Sequence, residues 1–182
     1  MTSDPCATVA EPPLWRATVP VFDAALFRLD RTVAKAIAAF GSEADAAFAT
    51  RPAPGMLIAG QQVATAAQFT LRVAYPLAGR RAPEVRGSLD ATGLLGRIAE
   101  TRALLAALAP GDFAGAEGRS VRFQAGFADL ERCGESFLYD FGLPNLYFHH
   151  AVAHVALKQA GVRLGKADFD GLHDYPEDFS FG

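Results

Sequence analysis

Three of the four histidines in this 182-residue chain fall within six consecutive positions, and they are its best candidates for chemistry. At about 100° per helical residue, His149 shares a helix face with Asn145, whereas His154 lies on the opposite face and His150 between the two directions. We expect His149 and Asn145 to point inward. His150 and His154 have a spacing that can chelate a metal, but we expect them on a wetter flank. The alternative for the inward pair is structural, with each side chain hydrogen-bonded to the other or to the backbone.

Three other segments resemble functional loops but lack residues that those loops require. The stretch from Gly161 to Lys166 has three residues between its glycines instead of four, and no hydroxyl follows the lysine of this would-be phosphate loop. Ser136 lacks the second glycine of a nucleophile elbow, and the segment from Asp168 lacks the distal Glu of a calcium loop. We therefore expect no phosphate loop, serine hydrolase site or calcium site from these segments.

Four long amphipathic helices are predicted by apolar residues that recur at three- and four-residue steps, and these helices must position the candidate side chains. Pro20 suits the first turn of the first helix, and Ser88 or Asp90 can cap the third. Gln62 lies on the apolar stripe of the second helix, and Pro144 opens the fourth, which carries the histidines. The predicted helices cover residues 20–40, 56–78, 88 or 90 to 109, and 144–160.

The rest of the chain supplies connections and ends. Alternating apolar residues at 118–131 predict a small β-hairpin, and a short apolar turn at 136–141 is expected to lead into the last helix. Residues 1–17 are expected to form a leader or surface strap, and 172–182 a tail, which leaves one domain at 18–171. Because each helix must bury one apolar stripe, we expect an all-α antiparallel four-helix bundle with the hairpin inserted before the last helix.

Composition excludes several classes of function. The net charge is -3, and the 17 Lys and Arg residues are dispersed, so neither nucleic acid nor an anionic membrane is an expected partner. No apolar run approaches the roughly 20 residues that span a bilayer. Cys6 and Cys133 are too few for a disulfide framework or a zinc knuckle, which indicates a reducing, cytoplasmic location.

Distinctive residues stand near the ends of the predicted helices: Arg51-Pro-Ala-Pro-Gly-Met56 followed by Gln62-Val63, Pro144-Asn-Leu-Tyr-Phe-His149, and Gly161-Val-Arg-Leu-Gly165-Lys166-Ala-Asp168-Phe169. Together they resemble an uncharacterised branch, a domain of unknown function, of the DinB/YfiT-like superfamily of metalloenzymes. The resemblance covers residues 18–171. It implies a DinB-like four-helix bundle, often dimeric, whose active relatives hold a divalent metal with one histidine on the second helix and an i, i+4 pair on the last.

The resemblance also implies where the metal ligands would fall in this chain. The i, i+4 pair falls on Asn145 and His149, and the ligand on the second helix falls on or near Gln62. Of the three histidine ligands, this chain has only His149. The amide oxygens of Gln62 and Asn145 are weak ligands for zinc or nickel. We therefore expect no resident cofactor, with His149 as the one strong donor to any weakly held zinc or nickel.

The leading functional hypothesis is a degenerate pocket of Gln62, Asn145 and His149 that binds a small molecule. Its side chains must then converge, with the tips of Gln62 and His149 within about 8 Å. Two alternatives stay open: a metal-dependent enzyme of the thiol-transferase or hydrolase type using the same residues, and a structural or interaction protein without a ligand. Because the last helix is apolar around most of its circumference, we also expect a homodimer.

Overall fold

The computed structural model describes residues 11–176, which form a mostly helical protein with one two-stranded sheet. The helices are α1 (Pro13–Arg16), α2 (Val19–Phe40), α3 (Ala44–Phe48), α4 (Ala59–Leu77), α5 (Ala91–Ala106), α6 (Gly134–Ser136), α7 (Leu143–Gln159) and α8 (Lys166–Asp170). Strands β1 (Ser120–Ala125) and β2 (Ala128–Cys133) lie between α5 and α6 in the chain. Three 3₁₀ turns span Gly41–Glu43, Pro110–Phe113 and Ala116–Gly118, and a π-helical segment spans Phe137–Gly142.

The four long helices, α2, α4, α5 and α7, lie where the apolar periodicity predicts them, and their ends follow local chemistry. Pro20 occupies the first turn of α2, and Gly41 ends that helix with a φ of 57°. The Asp90 carboxylate caps α5 by accepting a hydrogen bond of 2.8 Å from a backbone N–H of the first turn. Thr18 stands at the N-cap of α2, but its hydroxyl donates to the Leu14 carbonyl instead of accepting from the helix.

Helix α4 occupies the centre of the packing. It contacts α7 most extensively and also contacts α5, which in turn packs on α2. The buried side chains form one core that includes Phe22 of α2, Leu71 of α4, Leu94 of α5 and Leu157 of α7. This arrangement brings the first turns of α4, which carry Gln62, against the histidine-bearing helix α7.

A short helix, α1, lies within the stretch 1–17 that is expected to be a leader or surface strap. Within the stretch expected to be a leader, α1 buries Leu14, which is 2% exposed. The parts of the expected leader and tail at 1–10 and 177–182 lie outside the described residues. Among the helices of residues 11–176, none combines the length and the apolar character needed to cross a membrane.

The predicted β-hairpin is present as strands β1 and β2. The strands are antiparallel, Phe123 faces Leu130 across the pair, and Gly126 takes a φ of 60° in the turn. The Phe123 ring lies 4.8 Å from that of Phe137 and 4.5 Å from that of Phe141, between ring centroids. This aromatic cluster attaches the hairpin to the helix that follows it.

The prediction of a turn at 136–141 is wrong, because the chain is helical without interruption from Gly134 to Gln159. Pro144 lacks an N–H, and its ring crowds the carbonyl four residues earlier, which disfavours a regular α-helical hydrogen-bond pattern in the preceding turn. The π-helical segment Phe137–Gly142 lies directly before the proline and supplies a different hydrogen-bond pattern there. Pro144 lies in the first turn of α7, as predicted, but α7 continues directly from the π-helical segment instead of from a turn.

Candidate functional site

The centre of the candidate site is a hydrogen bond between Gln62 of α4 and His149 of α7. Gln62 is only 1% exposed, and its Oε1 lies 2.6 Å from Nδ1 of His149. Its Nε2 points to the carbonyl oxygen of Leu57 at 3.5 Å, which orients the amide with its oxygen toward the imidazole. Gln62 and His149 thus come together, well within the 8 Å that a shared pocket requires.

This hydrogen bond fixes the tautomer of His149. Because an amide oxygen can only accept, Nδ1 must carry the proton, and the lone pair of the neutral ring is left on Nε2. The ring is half-buried and stacks on Phe69, with centroids 5.4 Å apart and planes at 20°. Phe148 meets it edge-on at 5.2 Å. In residues 11–176 no hydrogen-bond partner is recorded for Nε2, so this nitrogen can accept a proton or a hydrogen bond from a bound molecule.

Burial and a nearby cation keep the imidazole neutral. Desolvation, and secondarily the positive charge of Arg72, lower the pKa of His149 below its ordinary value. Arg72 itself is exposed, and its guanidinium carbon lies 4.6 Å from the centroid of the Phe69 ring. The site therefore combines an uncharged basic nitrogen with a guanidinium beside it.

Asn145 lies one turn before His149 on the same face of α7, but its amide is used differently. Its Nδ2 donates to the carbonyl of Phe141 at 2.7 Å, where the π-helical segment gives way to α7. Within the described residues no hydrogen bond joins Asn145 to Gln62 or to the His149 ring. The structure thus brings two of the three predicted pocket residues into contact and leaves Asn145 bonded to the backbone.

Aromatic residues that the sequence pattern does not assign to the site form one side of it. Phe69 lies 5.7 Å from Phe141, whose ring contacts Phe123 of the hairpin. A signal for Phe69 was present, because it follows Gln62 by seven residues and so shares its face of α4. Arg72 carried no such signal, since its position on the polar stripe of α4 is typical of a solvated side chain.

The three predicted residues do not fit a closed or catalytic zinc site. Oε1 of Gln62 already accepts from the imidazole, and only the imidazole is a strong donor for zinc or nickel. Within residues 11–176, no three His, Cys, Asp or Glu side chains are grouped so that they could hold a metal ion.

The expectation of a wetter flank for His150 is wrong. His150 is 1% exposed, because the ring of Phe169 from α8 lies 4.8 Å from it. His154 is half-buried, and the same phenylalanine meets it at 6.2 Å. The helical wheel of α7 alone could not show this, since the covering residues come from beyond the end of that helix.

Comparison with known proteins agrees with this fold. The model of a family described as a domain of unknown function, DUF1993, matches residues 14–170. The chain belongs to the DUF1993 family. The DUF1993 chain is also similar to the crystal structure of a DinB family member protein from Shewanella denitrificans, with a TM-score of 0.79 and 27% sequence identity. That alignment covers 90% of this chain and 94% of the other, and no curated protein matches. These findings make DUF1993 a branch of the DinB-like superfamily, as the sequence motifs predict.

Proposed function

We propose that this DUF1993 protein is a DinB-like four-helix-bundle protein that binds a small molecule in the pocket of Gln62, Asn145 and His149. One observation carries the proposal: the Gln62–His149 hydrogen bond of 2.6 Å holds a neutral imidazole whose Nε2 lone pair has no partner among the described residues. His149 is half-buried and Nε2 is not among the enclosed unpartnered atoms of residues 11–176, so this nitrogen is open to solvent and can be reached by a ligand. A ligand that donates a hydrogen bond to Nε2 of His149 would supply the partner that the described residues do not.

The neighbouring groups indicate the chemistry of that ligand. Arg72 places a positive charge beside the imidazole, which favours a ligand with an acidic or strongly polar group. Phe69 is 5% exposed and packs against both the imidazole and the guanidinium, so it holds these two polar groups side by side at one site. We expect no resident metal, and a weakly bound zinc or nickel ion would use His149. The cytoplasmic location expected from the cysteines accords with a free, exposed Cys133.

The test is a fragment screen of small polar molecules, read by NMR on protein with ¹⁵N-labelled histidines. Fragments that bind should shift the imidazole signals of His149, and their affinity should fall about tenfold in Gln62→Leu, which frees the ring to change tautomer. The control is Gln159→Ala, an exposed glutamine at the end of α7, the helix that carries His149, which should leave the affinities unchanged.

Two results would contradict the small-molecule proposal, each in favour of a different function. If fragments bind equally to wild type and His149→Leu, or if none binds, the polar pair serves packing only. Stoichiometric zinc, nickel or iron in protein purified without an affinity tag would favour a metal-dependent enzyme of the thiol-transferase or hydrolase type instead.

We also propose a homodimer that buries the apolar outer face of α7. Phe148 is 52% exposed and Val155 is 49% exposed, and their separation by seven residues places them on one face of this helix, which supports an interface there. Light scattering at micromolar concentration should give the mass of two chains, with an interface above about 1,000 Å². Val155→Glu should shift the protein to monomer, whereas Gln159→Glu, which adds the same charge to the same helix, should not. A monomeric wild type would refute the proposal.

A further inference from the structure

A second group of polar side chains lies beneath α8, apart from the Gln62–His149 pair. Three nitrogens there are buried without a hydrogen-bond partner: Nε of Arg28, Nε2 of His150 and Nδ1 of His154. His150 is the most enclosed of the three, at 1% exposure. Buried polar atoms in native proteins are nearly always paired, so three such atoms on neighbouring side chains require an explanation.

Helix α8 contacts the side chains that carry these three nitrogens, which shows that they lie close together. The Phe169 ring of α8 lies 4.8 Å from the His150 ring and 6.2 Å from the His154 ring, between centroids. A Cβ placed on Gly171, the C-cap of α8, would lie 3.4 Å from Cδ of Arg28. Helix α8 and its C-cap therefore cover all three side chains, which come from α2 and α7.

The charges around this place favour an anion. Helix α8 contributes two carboxylates: Asp168, which pairs with Lys35 at 2.6 Å, and Asp170, which accepts hydrogen bonds from the backbone N–H of Leu172 and from the His173 ring. Lys158 donates to the carbonyl of Leu164 at 3.1 Å and adds a further positive charge near His154. Arg28 has no carboxylate partner recorded in the described part of the chain. One guanidinium thus remains without a counter-charge beside two imidazoles.

Helix α8, which covers these three side chains, is held in place by few buried contacts. Helix α8 has five residues, none of them buried, and glycines stand at both of its ends. Gly171 has a φ of 73°, which allows the chain to turn sharply there. The ion pair to Lys35 is open to water on the lysine side, where the side chain is 45% exposed, whereas the Asp168 side chain is 11% exposed. Segments with few buried contacts open at low free-energy cost, so α8 can leave this surface while the long helices stay packed.

We propose that Arg28, His150 and His154 form a second binding site, for the carboxylate of a small aromatic acid. The Arg28 guanidinium and the two imidazoles donate hydrogen bonds to the carboxylate, and the ring of the acid takes the place of Phe169 against the imidazoles. Helix α8 is then a displaceable cover, and its own aromatic side chain occupies the ligand position when the site is empty. This site would work independently of the Gln62–His149 pocket.

Benzoate is the probe, and benzyl alcohol is its uncharged counterpart. In ¹⁵N-histidine-labelled protein, benzoate should shift the His150 and His154 signals, and Phe169→Ala should bind it about fivefold or more tightly because the competing ring is gone. Within the Phe169→Ala background, Arg28→Met should weaken benzoate binding about tenfold or more. Arg31→Met, an exposed arginine on the same helix, should leave it unchanged, and benzyl alcohol should bind at least about tenfold more weakly than benzoate.

The proposal is overturned if Phe169→Ala gives no benzoate-induced shift at His150 or His154 up to about 20 mM, or if Arg28→Met binds as well as its parent. It is also overturned if benzoate moves His149 alone, a result that would instead support the Gln62–His149 pocket. Should Arg28→Met fail to give a native circular dichroism spectrum, Arg28→Lys replaces it, and it should restore part of the affinity by keeping the charge. His149→Leu should retain benzoate binding at His150, which separates this site from the first.

Discussion

Replacing Gly134 with alanine should lower the free energy of unfolding by about 3 kcal/mol or more. Gly134 is the first residue of the helix that carries Asn145 and His149, and a Cβ added there would lie 1.9 Å from the carbonyl oxygen of Ala116. That oxygen belongs to the backbone and cannot rotate away, so the start of the helix must move. Thermal unfolding should show a melting temperature lower by about 6–12 °C.

The matched control for this substitution is Gly96→Ala in α5. No atom lies within 4 Å of a Cβ at that position, and the residue sits inside a helix, so alanine should stabilise the protein by about 0.5–1 kcal/mol. A Gly134→Ala protein that melts within a degree or two of the wild type would show that the helix start adapts to the extra carbon. Equal losses at both positions would point to a general effect of the substitution.

The long helices could be predicted from the sequence because their signals are local. The apolar periodicity, Pro20 in the first turn of α2 and the Asp90 cap each act within one or two turns, and each is found where predicted. The π-helical segment Phe137–Gly142 had no such signal. Its apolar residues predict a short turn that leads into Pro144, whereas the backbone is helical there and Phe137 and Phe141 pack on the Phe123 ring of the hairpin.

The candidate site could be predicted only as far as helix faces determine it. Gln62 and His149 lie on the inward faces of their helices, and these faces meet because α4 packs on α7. Arg72 and Phe69 belong to the site because of the directions in which their side chains point, and the spacing of residues along a helix does not specify those directions. The burial of His150 depends on Phe169, a contact across a loop and a second helix that no single helical wheel contains.

Acidification should destabilise the protein through His150 more than through any other histidine. Burial, followed by the charges of Arg28 and His154, lowers the pKa of His150 to about 4, against 6.5 for a free imidazole. Because the native state binds this proton less readily than the unfolded chain, the stability is complete above pH 6.5 and is lost as the pH falls toward 4. The loss approaches roughly 3 kcal/mol for this residue alone.

Urea unfolding measured between pH 7.5 and 4 should reveal this loss as a steep fall in the free energy of unfolding. His150→Gln should be less stable than the wild type at pH 7.5, since an amide fills the cavity less well, but it should lose much less stability on acidification, so the two curves converge. Gln159→Ala, which replaces an exposed residue without a titratable group on the same helix as His150, should keep the wild-type slope. Parallel curves for wild type and His150→Gln would mean that His150 accepts a proton in the native state as readily as in the unfolded chain. The imidazole would then have access to water or to an acidic partner beneath α8.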